Sequence, residues 1–165
     1  MPADFRGLLR TLIEGDVDFV LVGGYSAVLH GSTQMTRDVD VVCSLDAISG
    51  TKLVEALKGI HPTHRMVPDP RPLVVSDFGS DGLQNLYLKT DLGILDCLGE
   101  VRGVGDLAAC KARSEKMTIG DIEFQILDIL SLIEAKIAMG RPRDLVTAKE
   151  LETIVAQRNR TRPSS

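Results

Sequence analysis

The run Val17-Asp18-Phe19-Val20-Leu21-Val22-Gly23-Gly24-Tyr25-Ser26-Ala27 passes from apolar residues into two glycines and out into a short apolar segment that closes at His30-Gly31. Strand, tight glycine turn and short helix is the reading this pattern supports. A polar loop, Ser32 to Thr36, leads to Arg37-Asp38-Val39-Asp40-Val41-Val42-Cys43, whose β-branched residues predict a second strand that starts with two acids. Side chains in a strand repeat every second residue, so Asp38 and Asp40 share one face while Val39 turns into the core. Two ionised carboxylates held side by side repel each other, and a cation is their natural partner. Hard oxygen donors favour Mg2+, which commonly sits between one or two carboxylates and substrate phosphates.

The glycine turn supplies the complementary half of such a site. A strand-to-helix junction without side chains lets backbone N–H groups approach a phosphate. Further along, Ile94-Leu95-Asp96-Cys97-Leu98 is an apolar strand interrupted by a single carboxylate, which is costly to bury unless it is used or paired. Asp91 competes with Asp96 for the role of third acid, but it stands beside Thr90 in a turn, where acids are routine. With Asp38 and Asp40 holding metal, Asp96 is placed to orient or deprotonate an acceptor hydroxyl for in-line attack on phosphorus. The glycines do not fit a dinucleotide fingerprint and no phosphate-binding P-loop is present. Gly24-Tyr25-Ser26-Ala27-Val28 lacks the last glycine of a serine-hydrolase nucleophile elbow. His61 and His64 flank Pro62 without a nearby cysteine, so no metal-ligand spacing is formed there.

These residues resemble the polymerase-beta-like nucleotidyltransferase superfamily, in particular its small members with a Gly-Gly-Tyr-x-Ala opening and a His-Gly then Thr-x-Asp-x-Asp continuation. Here the pattern stands as Gly23, Gly24, Tyr25, Ala27, His30, Gly31, Thr36, Asp38 and Asp40. Leu95-Asp96-Cys97-Leu98-Gly99 is similar to the family's third-carboxylate strand. Leu132-Ile133, Lys136 and Gly140-Arg141-Pro142-Arg143-Asp144-Leu145 resemble the C-terminal segment of nucleotidyltransferases related to abortive-infection toxins. Many members have Gly-Ser where this chain has Gly23-Gly24, leaving Ser26 as the nearest hydroxyl, and Ala148 stands where a second acid is often found.

The resemblance implies transfer of a nucleoside monophosphate from an NTP, with ATP the expected nucleotide, to an unidentified acceptor: RNA, protein or a small molecule. It implies Asp38, Asp40 and Asp96 as catalytic and Mg2+-binding residues. Gly23, Gly24, Ser26, Thr36 and Lys136 would face the nucleotide, with Arg143 a further basic candidate. A non-catalytic nucleotide-binding module of the same fold, regulatory or antitoxin-like, is the alternative, and a homodimer is compatible with either.

The rest of the chain predicts an α/β architecture (α+β), a mixed β-sheet flanked by α-helices with further helices at the C-terminus. An opening helix covers residues 4–14, another runs from Leu45 to Ile60, and residues 61–72, with four prolines, form a loop. Short strands are expected at Leu73–Val75, Asn85–Lys89 and Gly93–Leu98. A helix opens at Asp106, a hairpin spans Met117–Phe124, and a helix from Asp128 to Met139 turns Leu132, Ile133, Ile137 and Ala138 inward. Pro142 opens a last helix reaching Ala156. A single domain is expected over residues 1–158, followed by a disordered basic tail over 159–165 carrying arginines from 158 onward.

At 165 residues the chain is long enough to bury a substantial core, and only 4% of residues are aromatic, with no Trp. That core must be aliphatic, and stacked-base recognition of single strands has little material. A formal charge of −4 argues against a dedicated duplex-binding surface. Cys43, Cys97 and Cys110 are odd in number and lack CxxC spacing, which fits a reducing, cytoplasmic setting. No apolar run is long enough to span a bilayer, so no membrane partner is expected.

Overall fold

The computed structural model describes residues 2–162. Its core is a seven-stranded mixed sheet in the order β3-β4-β5-β2-β1-β9-β8. The strands are β1 (Phe19–Val22), β2 (Asp38–Cys43), β3 (Thr63–His64), β4 (Asn85–Thr90), β5 (Gly93–Leu98), β8 (Ser114–Ile119) and β9 (Ile122–Leu127). A small ribbon, β6 (Glu100–Val101) with β7 (Gly105–Asp106), stands apart. Strand β2 runs parallel to β5 and antiparallel to β1, while β1 runs parallel to β9. The α-helices of the described residues are α1 (Phe5–Glu14), α2 (Gly23–Leu29), α3 (Ala47–Leu57), α4 (Leu107–Ala112), α5 (Ile129–Met139) and α6 (Pro142–Thr161).

Alternation along the strands sorts the apolar residues into two cores. Val39 and Val41 of β2, Leu21 of β1 and Leu95 of β5 face one side, where Leu8, Leu9 and Leu12 of α1 and Leu53 and Leu57 of α3 close over them. Val20, Val22 and Val42 face the other side against Ala27 of α2, Leu132 and Ile133 of α5, and Ala148 and Leu151 of α6. Asp38 and Asp40 belong to this second face. Ala148 is 3% exposed and serves the core.

The helices begin where acids can cap them. Asp4, Asp46, Asp106 and Asp128 each accept a backbone N–H three residues on, which satisfies one orphan donor of α1, α3, α4 and α5. Pro142 occupies the first turn of α6, and Gly140 in the left-handed region ends α5.

Four expectations need correction. Leu73–Val75 is not a strand: Val75–Phe78 forms a single 3-10 turn, because the Asp77 carboxylate accepts the Val74 N–H and Phe78 buries its ring. The proline-rich loop is not wholly irregular, since β3 lies inside it and pairs with β4. Ile137 and Ala138 are exposed; they continue the stripe of Ile133 and Ala135, but the covered part of α5 ends at Lys136. Helix α6 continues to Thr161 instead of ending at Ala156, and Arg158 Nη2 donates to His30 O at 3.1 Å. The basic tail expected from 159 therefore begins inside this helix, and its last residues, 163–165, lie outside the described residues. No described helix is long and apolar enough to cross a membrane.

Candidate active site

Strand β1 passes into α2 without a spacer, and Gly23 is the hinge, with φ of +74°. A Cβ on Gly23 would meet Asp40 Oδ2 at 2.2 Å, and one on Gly24 would meet Thr36 Oγ1 at 2.9 Å. Both glycines are thus required by the close approach of β2 and the segment entering it, and at Gly23 also by a backbone conformation that side chains disfavour. Thr36 donates its hydroxyl to Asp38 O at 3.1 Å, so it shapes the entry to β2. Glu150 of α6 accepts hydrogen bonds from Ser32 Oγ, Thr33 Oγ1 and Thr33 N, tying that segment down.

Register then assembles the acids. Asp40 is paired with Val22 on one side and Asp96 on the other, so Asp40 and Asp96 are neighbours in one row of the sheet, pointing the same way. Carboxylate oxygens of Asp38, Asp40 and Asp96 lie within 4.8 Å of one another. Asp96 is buried; Asp38 and Asp40 are half-buried. Burial first, then the charges of Asp38 and Asp96, push the Asp40 carboxyl up to about 7. Burial likewise raises Asp96, although Arg65 opposes it. Asp91 sits in the hairpin turn with His61 Nδ1 at 2.6 Å and is not part of the group. Three converging carboxylates short of positive charge fit a hard divalent cation such as Mg2+, and the oxygen-only donor set is unlike a zinc site.

Positive charge reaches the triad from α5 and from Arg141, the residue that precedes α6. Lys136, 14% exposed at its side chain, has Nζ 3.6 Å from Asp144 Oδ1, and its charge opposes the rise at Asp40. Arg141 Nε donates to Asp144 Oδ2 at 2.6 Å, and the charges of Asp38 and Asp40 act on Arg141 in turn. Asp144, 2% exposed, is the buried post from which both cations are held. Arg141 and Arg143 are both exposed, and of the two it is Arg141, three residues before Asp144, that pairs with this carboxylate. Ser26, expected at the nucleotide, is fully buried and donates its hydroxyl to Gly23 O at 2.6 Å, so its oxygen is spent inside the helix. His30 is buried with Nε2 2.8 Å from Leu127 O.

Two further residues of the site were not singled out. Tyr87 of β4 is the cross-strand partner of Asp96, and Arg65 reaches both Asp96 oxygens from the proline-rich loop.

The fold is similar to that of solved nucleotidyltransferase structures. The lincosamide antibiotic adenylyltransferase LnuA, with lincomycin bound, superposes with a TM-score of 0.59 at 16% identity, over 93% of this chain and 99% of its own. The chain has a nucleotidyltransferase fold. An antigenic nucleotidyltransferase-like protein from Paracoccidioides brasiliensis matches over 99% of this chain and 92% of its own, with a TM-score of 0.57 and 17% identity. ANT(2")-Ia in complex with adenylyl-2"-tobramycin matches over 95% and 96%, with a TM-score of 0.53 and 12% identity. No protein-family model matches the chain, and no curated protein matches it by sequence.

Proposed function

We propose that the chain is a divalent-metal-dependent nucleotidyltransferase that moves a nucleoside monophosphate from an NTP to a hydroxyl group of a small-molecule acceptor. The observation that carries this reading is the convergence of Asp38, Asp40 and Asp96 within 4.8 Å beside the bare backbone of Gly23 and Gly24. Mg2+ held by the three carboxylates would neutralise the phosphates and polarise the α-phosphorus. Gly23 and Gly24 let Asp40 and Thr36 pack against the bend between β1 and α2, whose backbone N–H groups would face the triphosphate. Lys136 and Arg141, fixed by Asp144, place positive charge beside the acids where the leaving phosphates need it. Asp96 takes the proton of the acceptor hydroxyl as its oxygen bonds to the α-phosphorus. The bond from that phosphorus to the bridging oxygen breaks, and pyrophosphate leaves with the electron pair.

A small-molecule acceptor is favoured over RNA by the formal charge of −4 and the few aromatic residues. LnuA, a lincosamide adenylyltransferase matched over 99% of its length, supports it, as does ANT(2")-Ia with its adenylyl-2"-tobramycin. ATP is the nucleotide this reading favours. Thermal melts against the four NTPs, each with and without Mg2+, test it. Ligand at a hundredfold excess over its Kd adds about 2.7 kcal/mol, so a Mg2+-dependent rise in Tm is expected; no rise with any NTP would overturn the reading. Transfer of label from α-labelled ATP to candidate hydroxyl compounds then identifies the acceptor.

A further inference from the structure

The third carboxylate of the triad already has a cation on it. Arg65 Nη2 lies 2.6 Å from Oδ1 and 2.7 Å from Oδ2 of Asp96, and the guanidinium carbon stands 5.5 Å from the centre of the Tyr87 ring. This is not a stray surface contact. The row Asp40, Asp96, Tyr87 across β2, β5 and β4 is extended by Arg65, whose N–H donates to Tyr87 O at 3.1 Å. The backbone on either side is pinned. His64 Nε2 is 2.8 Å from Asp77 Oδ2, Arg71 Nη1 donates to Asp77 Oδ1 at 2.6 Å, and Val74 N–H donates to the same carboxylate. The Arg65 side chain itself makes hydrogen bonds to Asp96 alone among the described residues.

The clamped pose also carries a penalty. Arg65 Nε is buried without a hydrogen-bond partner, the one such side-chain atom among the described residues. An unsatisfied buried donor costs about 1–3 kcal/mol, which the ion pair with Asp96 must offset. A single guanidinium nitrogen makes both bonds to Asp96, so the pose depends on that carboxylate. A divalent ion on the triad needs the same oxygens.

We infer that Arg65 is a stand-in cation: it occupies Asp96 while the triad is empty of metal and gives up at least one Asp96 oxygen when the divalent ion takes that carboxylate. This rests on the reading of the triad as a metal site. Its consequence is a triad that holds free metal weakly and is loaded best by metal arriving together with the nucleotide's phosphates.

The test is Mn2+ binding to the nucleotide-free protein, measured by calorimetry and by the electron paramagnetic resonance of free Mn2+. Arg65→Met should bind Mn2+ roughly tenfold more tightly than the unsubstituted chain, because the competing unit charge is gone. Arg65→Lys, which keeps the charge but not the planar fork, should fall between the two and carries the test if Arg65→Met does not fold. Lys89→Met is the control. Lys89 is exposed on the same face of β4, two residues from Tyr87, and its loss should change the affinity less than about twofold. Unchanged affinity in both Arg65 variants, or equal tightening in Lys89→Met, would overturn the exchange. So would a Mn2+-loaded crystal with Arg65 Nη2 still bonded to both Asp96 oxygens. If the unsubstituted chain binds no Mn2+ even with ATP present, the nucleotidyltransferase reading itself falls; if it binds and only the Arg65 effects are missing, that reading stands and the exchange does not.

Discussion

Asp40 and Asp144 are both withdrawn from water and both feel the charge of Lys136, yet their carboxyls move in opposite directions. Burial and two like charges push Asp40 up to about 7. At Asp144 burial also acts upward, but the Arg141 hydrogen bond and the charges of Lys136 and Arg141 outweigh it and hold the carboxyl below its ordinary range. One acid is surrounded by acids, the other by bases. Asp144 is therefore satisfied within the chain and holds its cations in place, whereas Asp40 belongs to a cluster short of positive charge, and that shortage points to a ligand.

Replacing each acid by its amide breaks this comparison most directly. Asp40→Asn should lower Mg2+-dependent nucleotidyl transfer at least about a hundredfold, since a metal ligand is lost. The same change should stabilise the metal-free protein at pH 8. The folded-state value near 7 lies above the unfolded value of 3.8, so the folded chain holds the proton more tightly than the unfolded chain. The metal-free protein loses stability as pH rises from about 4 to about 7, and above that range the loss is complete. Asn stays neutral throughout and removes that loss, roughly 4 kcal/mol. Melts in EDTA between pH 4 and 8 should show a falling Tm for the unsubstituted chain and a flatter line for the variant. A falling line in both would place the titration elsewhere.

Asp144→Asn should have the opposite sign, a destabilisation of about 1–3 kcal/mol at pH 7 measured by denaturant unfolding, because Lys136 and Arg141 lose their buried partner. Gly23→Ala sharpens the contrast from the backbone side. Its Cβ would stand 2.2 Å from Asp40 Oδ2 at a φ of +74°. A loss of about 1–3 kcal/mol is expected, together with weaker Mn2+ binding than in the unsubstituted chain, because the Asp40 carboxylate must shift. The smallest effect should come from Lys136→Met, with a rise of roughly threefold to tenfold in the KM for ATP and little change in the KM for acceptor, measured by steady-state kinetics. A larger effect on acceptor than on nucleotide would move Lys136 to the other side of the site.

The parts of the site that were legible in the chain are those written within a few residues of each other. Asp38 and Asp40 share a face because they are two apart in a strand, and the two glycines mark a close approach whatever lies opposite. Asp96 could be singled out because a lone acid in an apolar strand demands a partner. Arg65 could not: it lies 31 residues from Asp96, in a proline-rich loop whose pattern has no period. The hydroxyl of Ser26 is illegible for a related reason, because a hydroxyl open to the cleft and a hydroxyl folded back on its own helix look alike in one dimension. Ile137 was assigned inward because apolar spacing gives the stripe of a helix but not how far along its length that stripe stays covered.

The order of amino acids by itself determined the α/β class, the bare bend at Gly23 and Gly24, and the alternation that puts Asp38 and Asp40 on one side of β2, since each follows from local geometry repeated at short range. Only the tertiary structure decided that β5 lies parallel to β2 with Asp96 beside Asp40, that Arg141 and not Arg143 joins Lys136 on Asp144, and that Arg65 closes over the third acid. Those choices depend on strand order, register and the packing of α5 against α6. Contacts between residues far apart in the chain settle these, and no short-range periodicity encodes them.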